Sequence, residues 1–178
     1  MKKQTRIIKS ANSAWLIFFF ASSILFTNNL WAKDPARVIA GWVEKVRIDN
    51  QDFDVKAKLD TGARTSSINA RNIQSFKING ARWVKFTLIL EDSKDNKHEI
   101  EMEKPRSRLT NIKNHDGEHD KRHVVDFEVC FNGRKFTTEF TLADRREYIY
   151  DVLLGRQFLK NAAIVDPKRI FLTTAICE

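Results

Sequence analysis

The stretch Phe53-Asp54-Val55-Lys56-Ala57-Lys58-Leu59-Asp60-Thr61-Gly62-Ala63 reads as a β-strand that runs into an acidic loop. Phe53, Val55, Ala57 and Leu59 alternate with Asp54, Lys56 and Lys58, the period of two that marks a half-buried strand. A carboxylate at the end of such a strand is held in place by the sheet. Thr61 can fix the loop through its hydroxyl, and Gly62 lets substrate or a second carboxylate approach the backbone. Two such carboxylates about 3 Å apart cannot both ionise, so they share one proton. The ionised one can then draw a proton from water as the water attacks a carbonyl, while its partner protonates the carbonyl oxygen. The competing reading of Asp60-Thr61-Gly62 is an ordinary polar turn.

Working outward, most of the chain carries the same period. Val84, Phe86, Leu88 and Leu90 repeat the pattern with β-branched and aromatic residues around them, and so do Val125, Phe127, Val129 and Phe131. Asn132-Gly133 separates the latter run from Phe136, Thr138, Phe140 and Leu142, which is a strong hairpin signal. Asn79-Gly80 predicts a second hairpin. Ile164-Val165 and Ile170-Phe171-Leu172 flank a turn at Asp166-Pro167-Lys168-Arg169. Two short helices are expected, around Asn69 to Gln74 and from Gly155 to Asn161. Short strands at close spacing indicate an all-β fold, a small barrel or sandwich. Residues 103–122 are polar and aperiodic, which predicts a structureless cover or insert.

The beginning of the chain reads differently. Lys2, Lys3, Arg6 and Lys9 precede an apolar run from Ala14 to Phe26, and no acid occurs before Asp34. Leu30-Trp31-Ala32 follows, so residues 1–32 are predicted to be a secretory signal, with residues 33–178 as one domain. The alternative is an uncleaved anchor, because Leu30 is large for its place before the cleavage point. The apolar run is short for a membrane span, which needs about 20 residues. Contact with a membrane is therefore expected only through an uncleaved signal, and the expected location is periplasmic or secreted. The signal takes four of the 31 Lys and Arg and none of the 23 acids, so the formal charge falls from +8 to +4. That balance does not describe a nucleic-acid binder. Cys130 and Cys177 would meet an oxidising compartment. They could pair within the chain, closing a loop worth roughly 4 kcal/mol, pair between chains, or stay as small hydrophobes.

A second element joins the acidic loop. Val152-Leu153-Leu154-Gly155-Arg156-Gln157-Phe158-Leu159 is an apolar strand, a glycine and the start of a helix. With Asp60-Thr61-Gly62-Ala63, it resembles retropepsin. More closely, the chain is similar to a bacterial family catalogued as ATP-dependent zinc proteases and now viewed as retropepsin-like. That pattern stands here as Gly41-Trp42-Val43-Glu44, Ala57-Lys58-Leu59-Asp60-Thr61-Gly62-Ala63-Arg64-Thr65-Ser66-Ser67 and Trp83-Val84-Lys85-Phe86. It continues as Glu139-Phe140-Thr141-Leu142-Ala143-Asp144-Arg145 and Leu153-Leu154-Gly155-Arg156. The resemblance implies a small closed β-barrel with one or two short helices, Asp60 as the catalytic acid, Thr61 and Gly62 as its loop, and Gly155 and Arg156 as a brace beneath. With a single Asp-Thr-Gly, a working pair of carboxylates implies a homodimer.

Two positions depart from the family. Viral retropepsins place an acid where Arg64 stands, so Arg156 is expected to find another acid, Asp144 or Asp151, or to serve substrate. Many relatives have His where this chain has Asn69. The substrate is expected to be a peptide or protein. Ala63, Arg64, Arg106, Arg108 and Arg122 are the candidate binding residues, and their cations favour an acidic one unless they form a solvated face. The resemblance points the same way, because relatives are associated with trimming glutamate chains added by amide-forming ligases. His115, His119 and His123 with Asp116, Glu118 and Asp120 tempt a zinc reading. Gly117 and the lack of an apolar face deprive them of the helix such a site uses, and no metal is expected. No phosphate-binding Gly-rich loop with Lys-Ser/Thr is present, so no cofactor is expected. The rival to an enzyme is a binding module that keeps the fold, motivated by the cation at Arg64 beside Asp60.

Overall fold

The computed structural model describes residues 37–113 and 119–177. The expected signal segment, residues 1–32, lies outside them. Alternation becomes strand wherever it was seen. The elements are β1 (Val38–Gly41), β2 (Val43–Ile48), β3 (Val55–Leu59), β4 (Ser66–Ile78), β5 (Ala81–Glu91) and β6 (Lys97–Pro105). They continue as β7 (Arg108–Lys113), β8 (His119–Phe131), β9 (Arg134–Ala143), β10 (Val152–Leu154), the helix α1 (Arg156–Ala162) and β11 (Ala163–Asp166). Both Asn-Gly pairs make tight hairpins. Asn79 and Gly80 have φ of 48° and 82°, and Asn132 and Gly133 have 49° and 73°, the double left-handed turn that suits the twist of paired strands.

Six strands close on themselves in the order β10-β3-β2-β8-β9-β4, and β4 returns to β10. This is an all-β fold with a small closed barrel and one short helix, as expected. Closure removes the unpaired edges an open sheet would expose. Val55, Ala57 and Leu59 point inward with Ile68, Val125, Phe127, Phe140, Leu142, Val152 and Leu154, all buried. Phe127 meets Phe86 and Phe140 edge to face, with centroids 6.2 and 5.5 Å apart, the arrangement favoured by ring quadrupoles. Parallel pairing of β1 with β11 lies outside the barrel path. The segment after β11 is fixed by hydrogen bonds rather than strand pairing. Phe171 N donates to Val43 O at 2.9 Å, so Ile170 to Leu172 is not a strand.

Two expectations are corrected. Asn69 to Gln74 lies inside β4 rather than in a helix. Pairing with β9 on one side and β5 on the other overrides local preference, and the irregularity appears instead as a register shift between Arg71 and Gln74 with Asn72 at φ 53°. The described part of residues 103–122 is not structureless either, since it holds the end of β6, all of β7 and the start of β8, while 114–118 lie outside the described residues. β6 is an outer strand whose residues alternate between exposed and half-buried, so Ile100 and Met102 alone touch the core and no apolar period forms.

Cys130 on β8 and Cys177 are joined in a disulfide across a sequence separation of 47, with Cα atoms 5.7 Å apart. The bond ties the C-terminal segment to the barrel. Replacing both with Ser is expected to lower unfolding free energy by about 4 kcal/mol. Urea denaturation of the double variant checks this, and the unaltered chain in strong reductant should fall by the same amount.

Candidate active site

Asp60 follows β3 directly, and its backbone N donates to Leu154 O at 2.9 Å, which docks the loop onto β10. Its Oδ1 accepts from the amides of Gly62 at 2.8 Å and Ala63 at 3.2 Å. Oδ2 faces Lys58 Nζ at 3.4 Å, and the side chain remains 24% exposed. Burial pushes the Asp60 carboxyl up. The Gly62 amide, the Lys58 ammonium and the Ala63 amide together outweigh that and hold it below the ordinary aspartate value. The cation that acts on Asp60 is thus Lys58, two residues back on the same face of β3. Arg64 is exposed and contributes its carbonyl, which accepts from Gln157 N at 3.0 Å.

The loop rests on the β10–α1 junction. Arg156 N donates to Ala63 O at 2.9 Å, and Arg156 Nη1 donates to Thr61 O at 2.9 Å and Gly62 O at 2.7 Å. Gly155 N donates to Ser66 Oγ at 3.1 Å. A Cβ at Gly155 would stand 2.8 Å from the Thr65 carbonyl carbon and oxygen, backbone atoms that cannot swing aside, which is why glycine stands there. Arg156 meets loop carbonyls and neither of the acids expected for it. Asp144 is removed from the brace, because it pairs with Arg146 at 2.5 Å. Asp151 accepts from Asn69 Nδ2 at 2.7 Å and Glu91 N at 2.9 Å. Thr61 acts through its carbonyl, and its hydroxyl makes no hydrogen bond to a described residue.

The candidate binding arginines do not gather at one place. Arg108 forks onto Glu139, Nε to Oε1 at 3.0 Å and Nη2 to Oε2 at 2.7 Å, which joins β7 to β9 across β8. Arg122 is paired with Asp120 at 2.6 Å. Arg106 is half-buried, and its N donates to Arg82 O at 2.9 Å. Burial holds His123 below the ordinary histidine value, with Arg106 adding to it. Of the histidine cluster, residues 114–118 lie outside the described residues. His119 and His123 sit on a strand, where four residues span about 13 Å rather than one helical turn.

Sequence reasoning gave no role to Lys58, Ser66, Ser67 or the buried Arg145, noted Asn69 only as a departure from the family, and expected Asp151 to serve Arg156. Asn69 and Asp151 form the strut between β4 and the start of β10, and Asn69 Oδ1 also accepts from Arg145 N at 2.9 Å.

The model of the RimB-like family, described as retropepsin-like aspartic endopeptidase RimB, matches residues 39–175. The chain belongs to that family. The match takes in the Asp60 loop, the Gly155-Arg156 brace and Glu44 alike. Among curated relatives, a probable α-L-glutamate ligase of Shewanella pealeana is 39% identical over 118 residues, 66% of this chain and 25% of that protein. A probable α-L-glutamate ligase of Desulfotalea psychrophila is 34% identical over 113 residues, 64% of this chain and 24% of that protein. The chain thus spans about a quarter of the length of these relatives. Among solved structures, Lpg0085 of Legionella pneumophila, a protein of unknown function, is 28% identical with a TM-score of 0.65. That match covers 78% of this chain and all of the Legionella chain.

Proposed function

We propose that this RimB-like chain hydrolyses peptide or amide bonds by an aspartic mechanism, as a homodimer in which Asp60 of each copy faces the other, on acidic, glutamate-rich substrates. The observation that carries the reading is the Asp60 loop, in which one carboxylate oxygen is fixed by the Gly62 and Ala63 amides while the other stays within reach of solvent. A single chain supplies one such carboxylate, and the reaction needs an acid as well as a base. In the pair, the ionised Asp60 takes a proton from water while the water oxygen bonds to the carbonyl carbon. The protonated Asp60 gives its proton to the carbonyl oxygen. Collapse breaks the C–N bond: the first Asp60 gives the proton taken from water to the leaving amine, and one hydroxyl of the diol returns its proton to the second Asp60 as the carbonyl reforms.

The glutamate preference is supported by the relatives described as probable α-L-glutamate ligases, since a segment shared with them is expected to meet glutamate amides. Periplasmic or secreted placement is supported by the leader-like start and by the Cys130–Cys177 disulfide. One observation favours the binding-module reading, namely that Lys58 beside Asp60 opposes the shared proton. The test is cleavage of oligoglutamate against a neutral peptide across pH 4 to 8, with and without chelator, at several protein concentrations. Chelator-indifferent cleavage whose specific activity rises with dimer fraction is the expected result. Tight binding of oligoglutamate without cleavage at any pH would favour the binding module.

A further inference from the structure

Arg145 lies just past β9 and is 6% exposed. Its Nε donates to Tyr150 O at 2.9 Å and its Nη1 to Ser67 Oγ at 2.7 Å. The Tyr148 ring covers the guanidinium at 4.6 Å. No carboxylate among the described residues stands within ion-pairing distance of it. Nη2 has no hydrogen bond to a described residue, yet it is not sealed from solvent. Buried charges are normally paired, because neutral acceptors do not return what desolvation takes away. A guanidinium held by two neutral oxygens, with Nη2 unbonded among the described residues, has the donors and the charge to suit an anion.

Sheet register fixes where this receptor stands. β10 lies between β3 and β4, with Leu153 opposite Lys58 on one side and opposite Ser67 on the other. Lateral neighbours share a face of a sheet, so Lys58, Leu153 and Ser67 form one row. Val152 and Leu154 point into the core at 0% exposure, so Leu153 and its row point outward. Strands about 4.8 Å apart put Ser67 roughly 10 Å from Lys58, the residue paired with Asp60. Through Ser67, Thr141 and Val124 the row continues to β8, where Arg122 stands two residues before Val124 on the same face. Burial holds Arg145 below the ordinary arginine value, Arg122 adds to that, and Tyr148, Asp151 and Asp60 act against it. On another side Arg145 borders a cleft of about 300 Å³ whose lining includes Glu91, Glu99 and Asp151 and none of the residues of this row.

We propose that Arg145 receives a substrate carboxylate beside the scissile bond, with Leu153 as the apolar floor between that carboxylate and Asp60. This makes Arg145 the residue that sets specificity for acidic substrates, in place of the surface arginines already engaged by Glu139 and Asp120. The acid must cross Leu153 to reach the guanidinium, so glutamate suits the site better than aspartate. The inference rests on the proposed function.

The experiment measures kcat/KM of the purified chain for C-terminally amidated oligoglutamate and for the same peptide with glutamine at each position in turn. A free-acid peptide forms a third arm, which separates a side-chain carboxylate from a terminal one. Arg145→Gln is expected to lower kcat/KM for the best glutamate substrate at least about 30-fold, and for its glutamine counterpart no more than about threefold. Arg145→Lys should keep part of the preference, as a point charge without the fork. An equal fall on both substrates would make Arg145 structural and overturn the inference, as would an unaltered chain that does not discriminate between them. Absence of cleavage by the unaltered chain would instead count against the proposed function. In that case, calorimetric binding of amidated tetraglutamate over tetraglutamine, lost in Arg145→Gln, still decides the receptor. Should Arg145→Gln not fold, amide NMR shifts of Ser67, Arg145 and Leu153 on adding tetraglutamate to the unaltered chain read the same contact, and no shift there overturns it.

Discussion

Asp60→Asn is expected to lower kcat/KM by about 10³-fold or more while leaving the barrel folded. The side-chain oxygen of Asn can still accept from the Gly62 and Ala63 amides, so the loop keeps its shape. What is lost is the ability to hold a proton in one copy and accept one in the other. The variant should therefore keep its dimer fraction, melt slightly below the unaltered chain at neutral pH because the carboxylate's pairing with Lys58 is gone, and differ chiefly in turnover. Residual activity above about a tenth would mean that the chemistry runs through other groups.

The pH profile of the unaltered chain follows from the same carboxylate. In the single chain, Asp60 is held below its ordinary value, so its contribution to stability is present above the unfolded carboxylate value near 4 and is lost as pH falls through the folded one. Catalysis needs one of the two copies protonated, a state that the single chain does not favour. Only the closeness of the second carboxylate raises the pair's upper value, and that value belongs to the pair rather than to either residue. Lys58 works against it from 3.4 Å. Lys58→Met should therefore carry the alkaline limb of kcat/KM to higher pH. An unmoved limb would show that Lys58 has already swung away in the dimer.

Legibility in the sequence tracked locality. Asp60 could be found because one strand and one turn, contiguous in the chain, contain the whole motif, and Gly155-Arg156 because it is a similar unit. The barrel followed from apolar alternation, which reports any strand with one face on the core. The end of β6 and all of β7 were misread because residues 103–113 carry only Leu109 and Ile112 as large apolar side chains, too few to show a period. Asn69 to Gln74 was misread for the opposite reason. Its composition tolerates a helix, and only partners from β5 and β9, far along the chain, decide otherwise. Arg145 shows the same limit at the site. It ends a quoted family pattern, yet its burial depends on Ser67 and Tyr150, which arrive from elsewhere. Lys58 was the one omission that the sequence could have supplied, since residues two apart on a strand share a face.

The largest effect on stability is expected not at the site but at Glu44, which is 0% exposed. Its Oε1 accepts from Gly41 N at 2.6 Å and Leu172 N at 2.9 Å, and its Oε2 accepts from Thr173 N at 3.0 Å and the Thr173 hydroxyl at 2.9 Å. One carboxyl group thus satisfies four donors and pins the segment after β11 across the end of β1. Gly41 is part of the same device, because a Cβ there would run into Arg169 O and, at 2.6 Å, Ile170 Cα. Glu44→Ala leaves all four donors without their acceptor around a fully buried side chain, and at slightly more than 1 kcal/mol each the loss is about 5 kcal/mol. Glu44→Gln tests the reasoning more sharply. Its amide group fits the space, but it must turn a donor toward Thr173 N or toward Gly41 N and Leu172 N. The less costly choice faces Thr173, whose hydroxyl can rotate to accept, so the glutamine variant should lose about 2 kcal/mol. Urea denaturation gives both values, and amide exchange should quicken at Leu172 and Thr173 before the barrel opens. The Cys130–Cys177 bond holds the same segment covalently, so combining Glu44→Gln with loss of the disulfide should cost more than the two changes apart. Strict additivity would mean that carboxylate and disulfide secure the tail independently.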